Sequence, residues 1–477
     1  MDTPVSYLYE QLADLIASMI GNGAFVPGAR LPSVRSMSKQ HHVSISTILQ
    51  TYRLLEDRGM LVARPQSGFY VAPQRRGALA LPTTSRRRAK ASTVSISGAV
   101  SALLEHASRS ELLPFGCAVP DAMLLQSKGL DLALARVARR DGARLNVYGA
   151  PQGELSLRCE IAKRAVRYGH ALSPDDVVLT NGCTEALALA LSAVSRPGDT
   201  IAVESPTYMG LLHTLEMLGL KAVELPVDPV RGISVDALAY LLATQPVAAC
   251  VLSSSFNNPL GSSMAEADKR ALLAVLARHN VPLIEDDVYG DIYFGRERPT
   301  PFIALDGGVH TIYCSSFSKS LAPGYRVGWV ATSAYKKQVM DLKLAFSLCG
   351  TVLPQVAVAE FLASGAYDRH LRGLRKLFQD NLARMAGAVE ASFPAETRMS
   401  QPEGGFVLWL ELPKHFDSRA LFDEALEHRI CFAPGDVFSA SRRFRNCLRL
   451  SAGHAWNKQI EEGVLRLGQL TQALLMR

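Results

Sequence analysis

Apolar residues near the start of the chain recur with the period of a helix. The first stripe consists of Leu8, Leu12, Leu15, Ile16, Met19 and Ile20, which predicts an amphipathic helix ending near Gly21. Ser33 can cap a short helix through Gln40, and Ser44 can cap a third helix to about Arg58. The buried stripe predicted for that third helix is Ile45, Ile48, Tyr52 and Leu55. The run "LVARPQSGFYVA" predicts two short strands around a turn. Residues 1–72 therefore have the element order of a winged helix-turn-helix domain.

The pattern changes twice after this domain. Residues 73–109 have no sustained apolar period and are rich in Pro, Thr, Ser, Arg and Ala, which predicts a flexible basic linker. From residue 110 to 477, buried strand-like runs such as "DVVLT", "DTIAVES" and "VPLIEDD" alternate with helical runs. This alternation predicts an α/β domain with a mostly parallel sheet, covered by helices on both faces, over about 140–350. A smaller α+β lobe is expected over about 355–477.

Composition narrows the class of protein. The chain has 477 residues, of which 48% are hydrophobic and 20% charged, as is typical of a globular protein of several domains. No apolar stretch is long enough to span a membrane, and the first twenty residues do not resemble a leader. The eight cysteines are scattered without metal-ligand spacing. We therefore expect a cytoplasmic protein without a membrane partner or a metal site. Much of the net charge of +7 falls in the linker, so it does not by itself indicate nucleic acid.

Polar residues follow five of the predicted strands, and in an open α/β sheet such loops face one crevice. "NGCT", with Cys183 and Thr184, opens a helix and offers backbone amides to an anion. The loop "SSFSKSLAPGYR" adds Ser316, Ser318 and Arg326, which also suit a phosphate. The remaining candidates are Tyr208 to stack on a flat ring, Asn258 and Tyr289 to donate to a phenolate, Asp286 to pair with a ring nitrogen, and Lys319 to form a Schiff base. These groups together match pyridoxal 5′-phosphate.

Each residue alone has an ordinary structural explanation, such as a turn, a helix cap or a surface lysine. Their order along the chain, each after a predicted strand, favours the cofactor site. The set "NPLG", "DDVY" and "SFSKSLAPGYRVGW" resembles fold-type I, aspartate-aminotransferase-like enzymes. The resemblance implies catalytic or cofactor-holding roles for Lys319, Asp286, Tyr289 and Asn258.

The same resemblance implies two further contacts. Tyr148 in "YGAPQGE" would reach the phosphate bound by a partner subunit, which implies a homodimer with shared sites. Arg449 in "LRLSAG" would bind a ligand carboxylate. Cys183 and Thr184 depart from many relatives, which have Gln or Ser in this loop, but backbone amides do not depend on the side chain.

The first 72 residues resemble the GntR-type winged helix through "PGARLPSVRSMS" and "RPQSGFYV". The resemblance implies binding to duplex DNA, with a helix of small polar residues in the major groove. It places Arg35 at a phosphate, and the groove or wing contacts at Ser44, Ser46, Thr47, Gln50, Arg64, Gln66, Ser67 and Gly68. Winged helices also serve as protein-interaction modules, and this one is nearly uncharged overall.

Both halves together resemble the MocR subgroup of GntR regulators, in which a linker joins a winged helix to an aminotransferase-like domain. Two hypotheses follow. The chain is either a DNA-binding regulator that senses an amino compound or a B6 vitamer through a Lys319 Schiff base, or an active aminotransferase with an added DNA-binding or interaction module. The recognition helix and wing favour regulation, whereas the complete cofactor set leaves transamination open.

Overall fold

The computed structural model describes residues 8–21, 24–25, 28–57, 60–64, 67–71, 79–85, 90–306 and 309–477. Two compact units are present: one contains Met1–Ala78, and the other contains Leu79–Ala388 and Ser392–Arg477. Within the described ranges, no helix is long and apolar enough to cross a membrane.

In the part of the amino-terminal unit that the structure describes, there are three helices and a two-stranded antiparallel sheet. They are α1 (Leu8–Gly21), α2 (Val34–His41), α3 (Ile45–Asp57), β1 (Leu61–Arg64) and β2 (Gly68–Val71). The Ser33 hydroxyl accepts a hydrogen bond from the Ser36 amide, and the Ser44 hydroxyl accepts one from the Thr47 amide. These two caps fix the starts of α2 and α3 at the predicted residues.

The core of this unit differs from the predicted stripes at three positions. Ile48, Tyr52 and Leu55 of α3 are fully buried, but Ile45 is exposed because it lies in the first turn of the helix. On α1, Leu12 and Ile16 are buried, whereas Leu8 and Leu15 are exposed. The apolar stripes predicted for α1 and α3 therefore include residues that the neighbouring helices and the hairpin of this small unit do not cover.

The large unit is built on a nine-stranded sheet in the order β3-β7-β6-β9-β10-β11-β12-β5, with β8 paired to β7. The strands are β3 (Ser92–Thr93), β5 (Val177–Asn181), β6 (Thr200–Ser205), β7 (Lys221–Asp228), β8 (Gly232–Ile233), β9 (Ala249–Leu252), β10 (Leu283–Asp286), β11 (Ile312–Ser316) and β12 (Val327–Ala331). The central pairs from β7 to β11 are parallel, and β12 is antiparallel to β11 and β5. The mostly parallel sheet is therefore confirmed, with antiparallel pairing towards both edges.

A smaller four-stranded antiparallel sheet forms the carboxy-terminal lobe, in the order β13-β14-β17-β16. Its strands are β13 (Arg398–Met399), β14 (Val407–Glu411), β16 (Ala433–Pro434) and β17 (Cys447–Ser451), while β15 (Ile430–Cys431) pairs with β4 (Leu113–Pro114). The helices of the large unit are α4 (Ser97–Ala107), α5 (Ala122–Leu125), α6 (Lys128–Arg140), α7 (Leu155–Ala165), α8 (Cys183–Val194), α9 (Met209–Met217), α10 (Val235–Thr244), α11 (Glu266–His279), α12 (Phe302–Leu305), α13 (Lys336–Phe346), α14 (Val352–Ala363), α15 (Ala366–Ser392), α16 (Ser418–Glu427) and α17 (Lys458–Met476).

The predicted linker 73–109 is too long. Residues 72–78 and 86–89 lie outside the described residues, but 79–85 and 90–109 belong to the large unit. The Ser85 amide donates to the Val227 carbonyl, the Thr83 hydroxyl donates to Glu411, and β3 pairs with β7. These partners are distant in sequence, so the segment has no local apolar period by which it could be recognised.

Candidate functional site

The loops at the carboxyl ends of the strands surround a cavity of about 240 Å³. Eleven of the predicted cofactor and ligand residues line it: Cys183, Thr184, Tyr208, Asn258, Asp286, Tyr289, Ser316, Ser318, Lys319, Arg326 and Arg449. This is the crevice expected at the strand ends of an open α/β sheet.

One end of the cavity is the amino terminus of α8. Gly182 precedes this helix with φ of 80°, and the Arg326 Nη2 atom donates to the Asn181 carbonyl over 2.8 Å. A side chain at Gly182 would overlap the Arg326 guanidinium, so glycine is needed for this close approach. The free amides of the helix and the fixed cation make this end suited to a phosphate.

A second glycine, Gly328, packs against the backbone at the amino terminus of α8. A Cβ atom at Gly328 would lie 2.5 Å from the Gly182 carbonyl carbon, which is backbone and cannot rotate away. We expect Gly328→Ala to lower the free energy of unfolding by about 1–3 kcal/mol, measured by denaturant titration. Gly324→Ala is the matched control, because nothing lies within 4 Å of its Cβ position. Equal stability of the two variants would contradict this packing.

Lys319 follows β11 and reaches the centre of the cavity. Its Nζ atom donates to the Ala118 carbonyl over 2.7 Å. Burial, together with the nearby Arg449 guanidinium, lowers the pKa of Lys319 to about 8. An amine with this pKa has a substantial neutral fraction near pH 8, which is the form that attacks an aldehyde.

Asp286 ends β10 and faces the same cavity. Burial raises the pKa of its carboxyl to about 6. The Cys183 thiol, whose own pKa is raised by burial, stays protonated and donates to Asp286 Oδ1 over 3.5 Å. A buried carboxylate with so few charge partners is suited to holding a protonated ring nitrogen.

Three further groups point to a polar aromatic ligand. The Tyr289 hydroxyl is buried next to Asn258 and makes no hydrogen bond of normal geometry to any residue that the structure describes. Burial raises the pKa of Tyr289, so the hydroxyl remains a donor. The Asn258 side chain, also buried, lines the same wall. The pKa of Tyr208 is raised by burial to about 12. The neutral Tyr208 ring therefore offers a flat apolar face to the cavity.

Arg449 on β17 is fully buried and lines the same cavity. Its Nη2 atom donates to the Gly116 carbonyl, while Nε and Nη1 have no hydrogen-bond partner among the described residues. Burial lowers the pKa of Arg449, but a guanidinium remains charged at neutral pH. A buried cation with two unused donors matches a ligand carboxylate.

The residues present fit pyridoxal phosphate. The phosphate end, the carboxylate at Asp286, the unpartnered Tyr289 hydroxyl and the amine of Lys319 line one cavity, as the cofactor's own groups require. The unused donors of Arg449 leave a place for a carboxylate beside it.

Tyr148 is the one predicted cofactor residue outside the cavity. Its side chain is 83% exposed, as is consistent with a residue that acts on another subunit. Gly149 lies against Val352, so the loop of Tyr148 meets the chain that follows α13.

Sequence reasoning missed part of the cavity wall. The carbonyls of Gly116 and Ala118 hold the two key cations, but the segment "FGCAVP" carries no motif. Glu204 is buried beside the cavity, and burial raises its pKa to about 8. It accepts hydrogen bonds from the Ser253 amide and from Asn257. The sequence did contain a signal for Glu204, because a carboxylate within the apolar run "IAVES" is an unusual residue for a buried strand.

The predicted DNA contacts lie mostly on the surface of the amino-terminal unit. Arg35, Ser44, Ser46, Gln50 and Gly68 are exposed, and Thr47 and Ser67 are half-buried. Ser44 Oγ lies 2.7 Å from Ser46 Oγ, which orders the first turn of α3. Gln66 lies outside the described residues; Arg64 ends β1, and its side chain is not described.

Arg30 was missed near the wing. Arg30 is exposed, and its backbone forms an isolated antiparallel β-bridge with Tyr70. Its guanidinium lies close to Gly68.

The family models match both units. The model for aminotransferase class I and II matches residues 122–467, which is well over half of the chain. The model for bacterial regulatory proteins of the gntR family matches residues 8–71.

Full-length relatives share both parts. The HTH-type transcriptional regulators YdcR and YjiR of Escherichia coli (strain K12) are each 38% identical to this chain. The YdcR match spans 98% of this chain and 99% of YdcR; the YjiR match spans 97% and 98%.

Among solved structures, the alpha-aminoadipate aminotransferase LysN of Thermus thermophilus, complexed with N-(5′-phosphopyridoxyl)-L-leucine, is 29% identical with a TM-score of 0.73. It covers 80% of this chain and 100% of its own. The kynurenine aminotransferase of Pyrococcus horikoshii is 27% identical with a TM-score of 0.74, over 79% of this chain and 95% of its own. The chain thus belongs to the aminotransferase class I and II family, and its gntR domain places it among the MocR-type GntR regulators.

Proposed function

We propose that the chain is a DNA-binding transcription regulator that uses pyridoxal phosphate to sense a small amino compound. The observation that carries this proposal is the coexistence of a gntR-type winged helix with a cavity that is lined by Lys319, Arg326 and Arg449. The full-length match to HTH-type regulators supports the same interpretation.

The chemistry of the cavity follows from this chain's own residues. When bound, pyridoxal phosphate supplies an aldehyde on an electron-poor ring, which reacts reversibly with amines. Lys319 would hold the cofactor through its amine, and Asp286 would pair with the ring nitrogen and favour its protonated form. Tyr289 and Asn258 orient the ring oxygen. The α8 amides, with Ser316, Ser318 and Arg326, bind the phosphate. Arg449 would bind the carboxylate of an amino ligand through its Nε and Nη1 donors.

A homodimer is part of the proposal. Val147, Tyr148, Phe346 and Leu348 are exposed apolar residues on two segments that meet where Gly149 lies against Val352. Exposed apolar residues grouped in this way are typical of an interface. Pairing of two chains here would also bring each Tyr148 to its partner's phosphate end, as the resemblance implies.

DNA binding is tested with a duplex from the region upstream of the protein's own coding sequence. We expect a retarded complex in a mobility-shift assay at moderate salt, stronger with two half-sites than with one. Ser46→Ala combined with Gln50→Ala should weaken it at least about 30-fold, because two base contacts together contribute about 2 kcal/mol or more. Ser18→Ala, an exposed serine on α1, is the control.

The same assay tests sensing. If the chain is a sensor, an amino ligand that reacts at the cavity changes the DNA affinity, and DNA then changes the ligand affinity by the same factor. Absence of any complex, or a complex that no amino ligand alters, would contradict the proposed regulator.

A second candidate is an active aminotransferase, favoured by the presence of both Lys319 and Arg449 in one cavity. Steady turnover of amino and keto acids at ordinary enzyme rates, of about 1 per second or more, would support it. Slow single half-reactions would fit the regulator.

A further inference from the structure

A short docked segment of the large unit is matched by neither family model. The gntR model ends at residue 71 and the aminotransferase model begins at residue 122, whereas residues 79–85 form hydrogen bonds to distant parts of the large unit. We call residues 79–85 the strap. It is the first part of the large unit after the amino-terminal unit, so the chain that joins the winged helix to the cavity residues passes through it.

The first half of the strap is bound to the smaller sheet. The Ala80 carbonyl accepts a hydrogen bond from the Met399 amide of β13 over 2.8 Å. The amide and the hydroxyl of Thr83 both donate to the Glu411 carboxylate at the end of β14, over 2.6 and 2.8 Å. Glu411 therefore holds this end of the strap through two bonds.

The second half of the strap is bound to the large sheet. The Ser85 amide donates to the Val227 carbonyl over 3.2 Å, and the Ser85 hydroxyl accepts from the Val227 amide over 2.9 Å. The Thr84 hydroxyl donates to Asp228 Oδ2 over 3.0 Å. Val227 and Asp228 are the last two residues of β7. The strap therefore connects the two sheets of the large unit.

Each end of the strap is bound to a strand that lies next to one leading to the cavity. In the smaller sheet, β14 pairs with β17, and Trp409 lies opposite Arg449. In the large sheet, Ser205 at the end of β6 lies opposite Pro226 of β7, and the chain continues from β6 to Tyr208. A shift of one sheet relative to the other would move Arg449 relative to Tyr208 and would also pull on the strap.

The two sheets have room to shift beside the strap. A cleft of about 470 Å³ is lined by the strap, by Pro206 and Val227 on the side of the large sheet, and by Trp409 and Glu411 on the side of the smaller sheet. Closely packed surfaces resist such a shift, whereas an open cleft does not. Thr83 and Thr84 are exposed, so water can replace their hydrogen bonds at little net cost.

We infer that the strap transmits the state of the cavity to the winged helix. A ligand held by Arg449 on one side and by groups of the large sheet on the other favours one separation of the two sheets, and this separation decides whether the strap stays docked. A docked strap attaches the amino-terminal unit at Leu79, whereas a released strap moves the attachment point beyond Ser85 and changes the reach of the winged helix. The inference rests on the proposed function, since it assumes that a ligand in the cavity alters DNA binding.

The test uses the full chain loaded with pyridoxal phosphate and the variant Glu411→Ala, which removes the acceptor of both Thr83 bonds. Hydrogen exchange of the peptide that contains the strap should be faster in the variant than in the wild type. The factor by which leucine or glutamate changes the affinity for the upstream duplex should fall about fivefold or reach one, because two hydrogen bonds of the docked state are lost.

Thr244→Val is the matched control, because this exposed hydroxyl donates to the Tyr240 carbonyl within α10 and lies outside the strap. It should leave both the exchange of the strap and the coupling factor unchanged. Thr84→Val combined with Ser85→Ala releases the other end of the strap and gives a second route if Glu411→Ala does not fold.

The possible failures are distinguishable. An unchanged coupling factor in a variant whose strap exchanges faster would overturn the inference and leave the proposed function intact. Exchange of the strap in the wild type as fast as in an unfolded peptide would also overturn the inference alone. If neither leucine nor glutamate changed the DNA affinity of the wild type, the inference and the proposed function would both be overturned.

Discussion

Replacing Lys319 with alanine is expected to remove the visible absorption of protein purified with pyridoxal phosphate. Lys319 is the one lysine among the described residues that line the cavity, and its Nζ atom is held by the Ala118 carbonyl. Its lowered pKa of about 8 favours the neutral, reactive amine. Without it, the cofactor can bind only through its phosphate and ring, so we expect complete loss of the covalent form rather than a partial decrease.

Two controls accompany this change. Lys337→Ala alters a lysine whose side chain is 86% exposed and ion-paired with Asp341, and should leave the spectrum unchanged. Lys319→Arg keeps a positive charge at the site but cannot form the bond, and should behave like the alanine variant. An unchanged spectrum in Lys319→Ala would mean that another group holds the cofactor.

Arg449→Gln is expected to raise the concentration of leucine needed for the half-maximal spectral change by at least about 100-fold. Arg449 has two donors without a partner among the described residues, and both would be lost; hydrogen bonds to charged groups contribute about 1.5–3 kcal/mol each. The measurement is a spectral titration of the loaded protein, checked by thermal unfolding because Arg449 is fully buried.

A matched ligand isolates the carboxylate. Isoamylamine has the side chain and amine of leucine without its carboxylate, so its titration should hardly differ between Arg449→Gln and the wild type. If leucine and isoamylamine lose affinity equally, Arg449 supports the fold of the cavity and does not bind the carboxylate.

Local patterns were enough to predict the sheet and the residues that line its crevice. The runs "DVVLT", "DTIAVES" and "VPLIEDD" lie within one or two residues of β5, β6 and β10, because buried parallel strands are continuous apolar segments. Since the carboxyl ends of such strands share one edge, Asn258, Asp286 and Lys319 were expected to converge, and they line one cavity.

Long-range pairing could not be predicted in the same way. Residues 79–85 and β3 are held by partners more than a hundred residues away, such as Val227 for Ser85, so their sequence looks like a linker. The backbone carbonyls of Gly116 and Ala118 carry no side-chain signal at all. Ile45 shows that local periodicity also has a limit. The pattern predicts the apolar face of α3, but it does not tell which turns of the helix the neighbouring elements cover.

The most direct test of the account is the position of the covalent bond. Protein purified with ample pyridoxal phosphate is reduced with borohydride, digested and mapped by mass spectrometry. We expect a pyridoxyl group on the peptide that contains Lys319 and on no other lysine. A modified peptide elsewhere in the chain, or no modified peptide, would contradict the assignment of Lys319 as the residue that binds pyridoxal phosphate covalently.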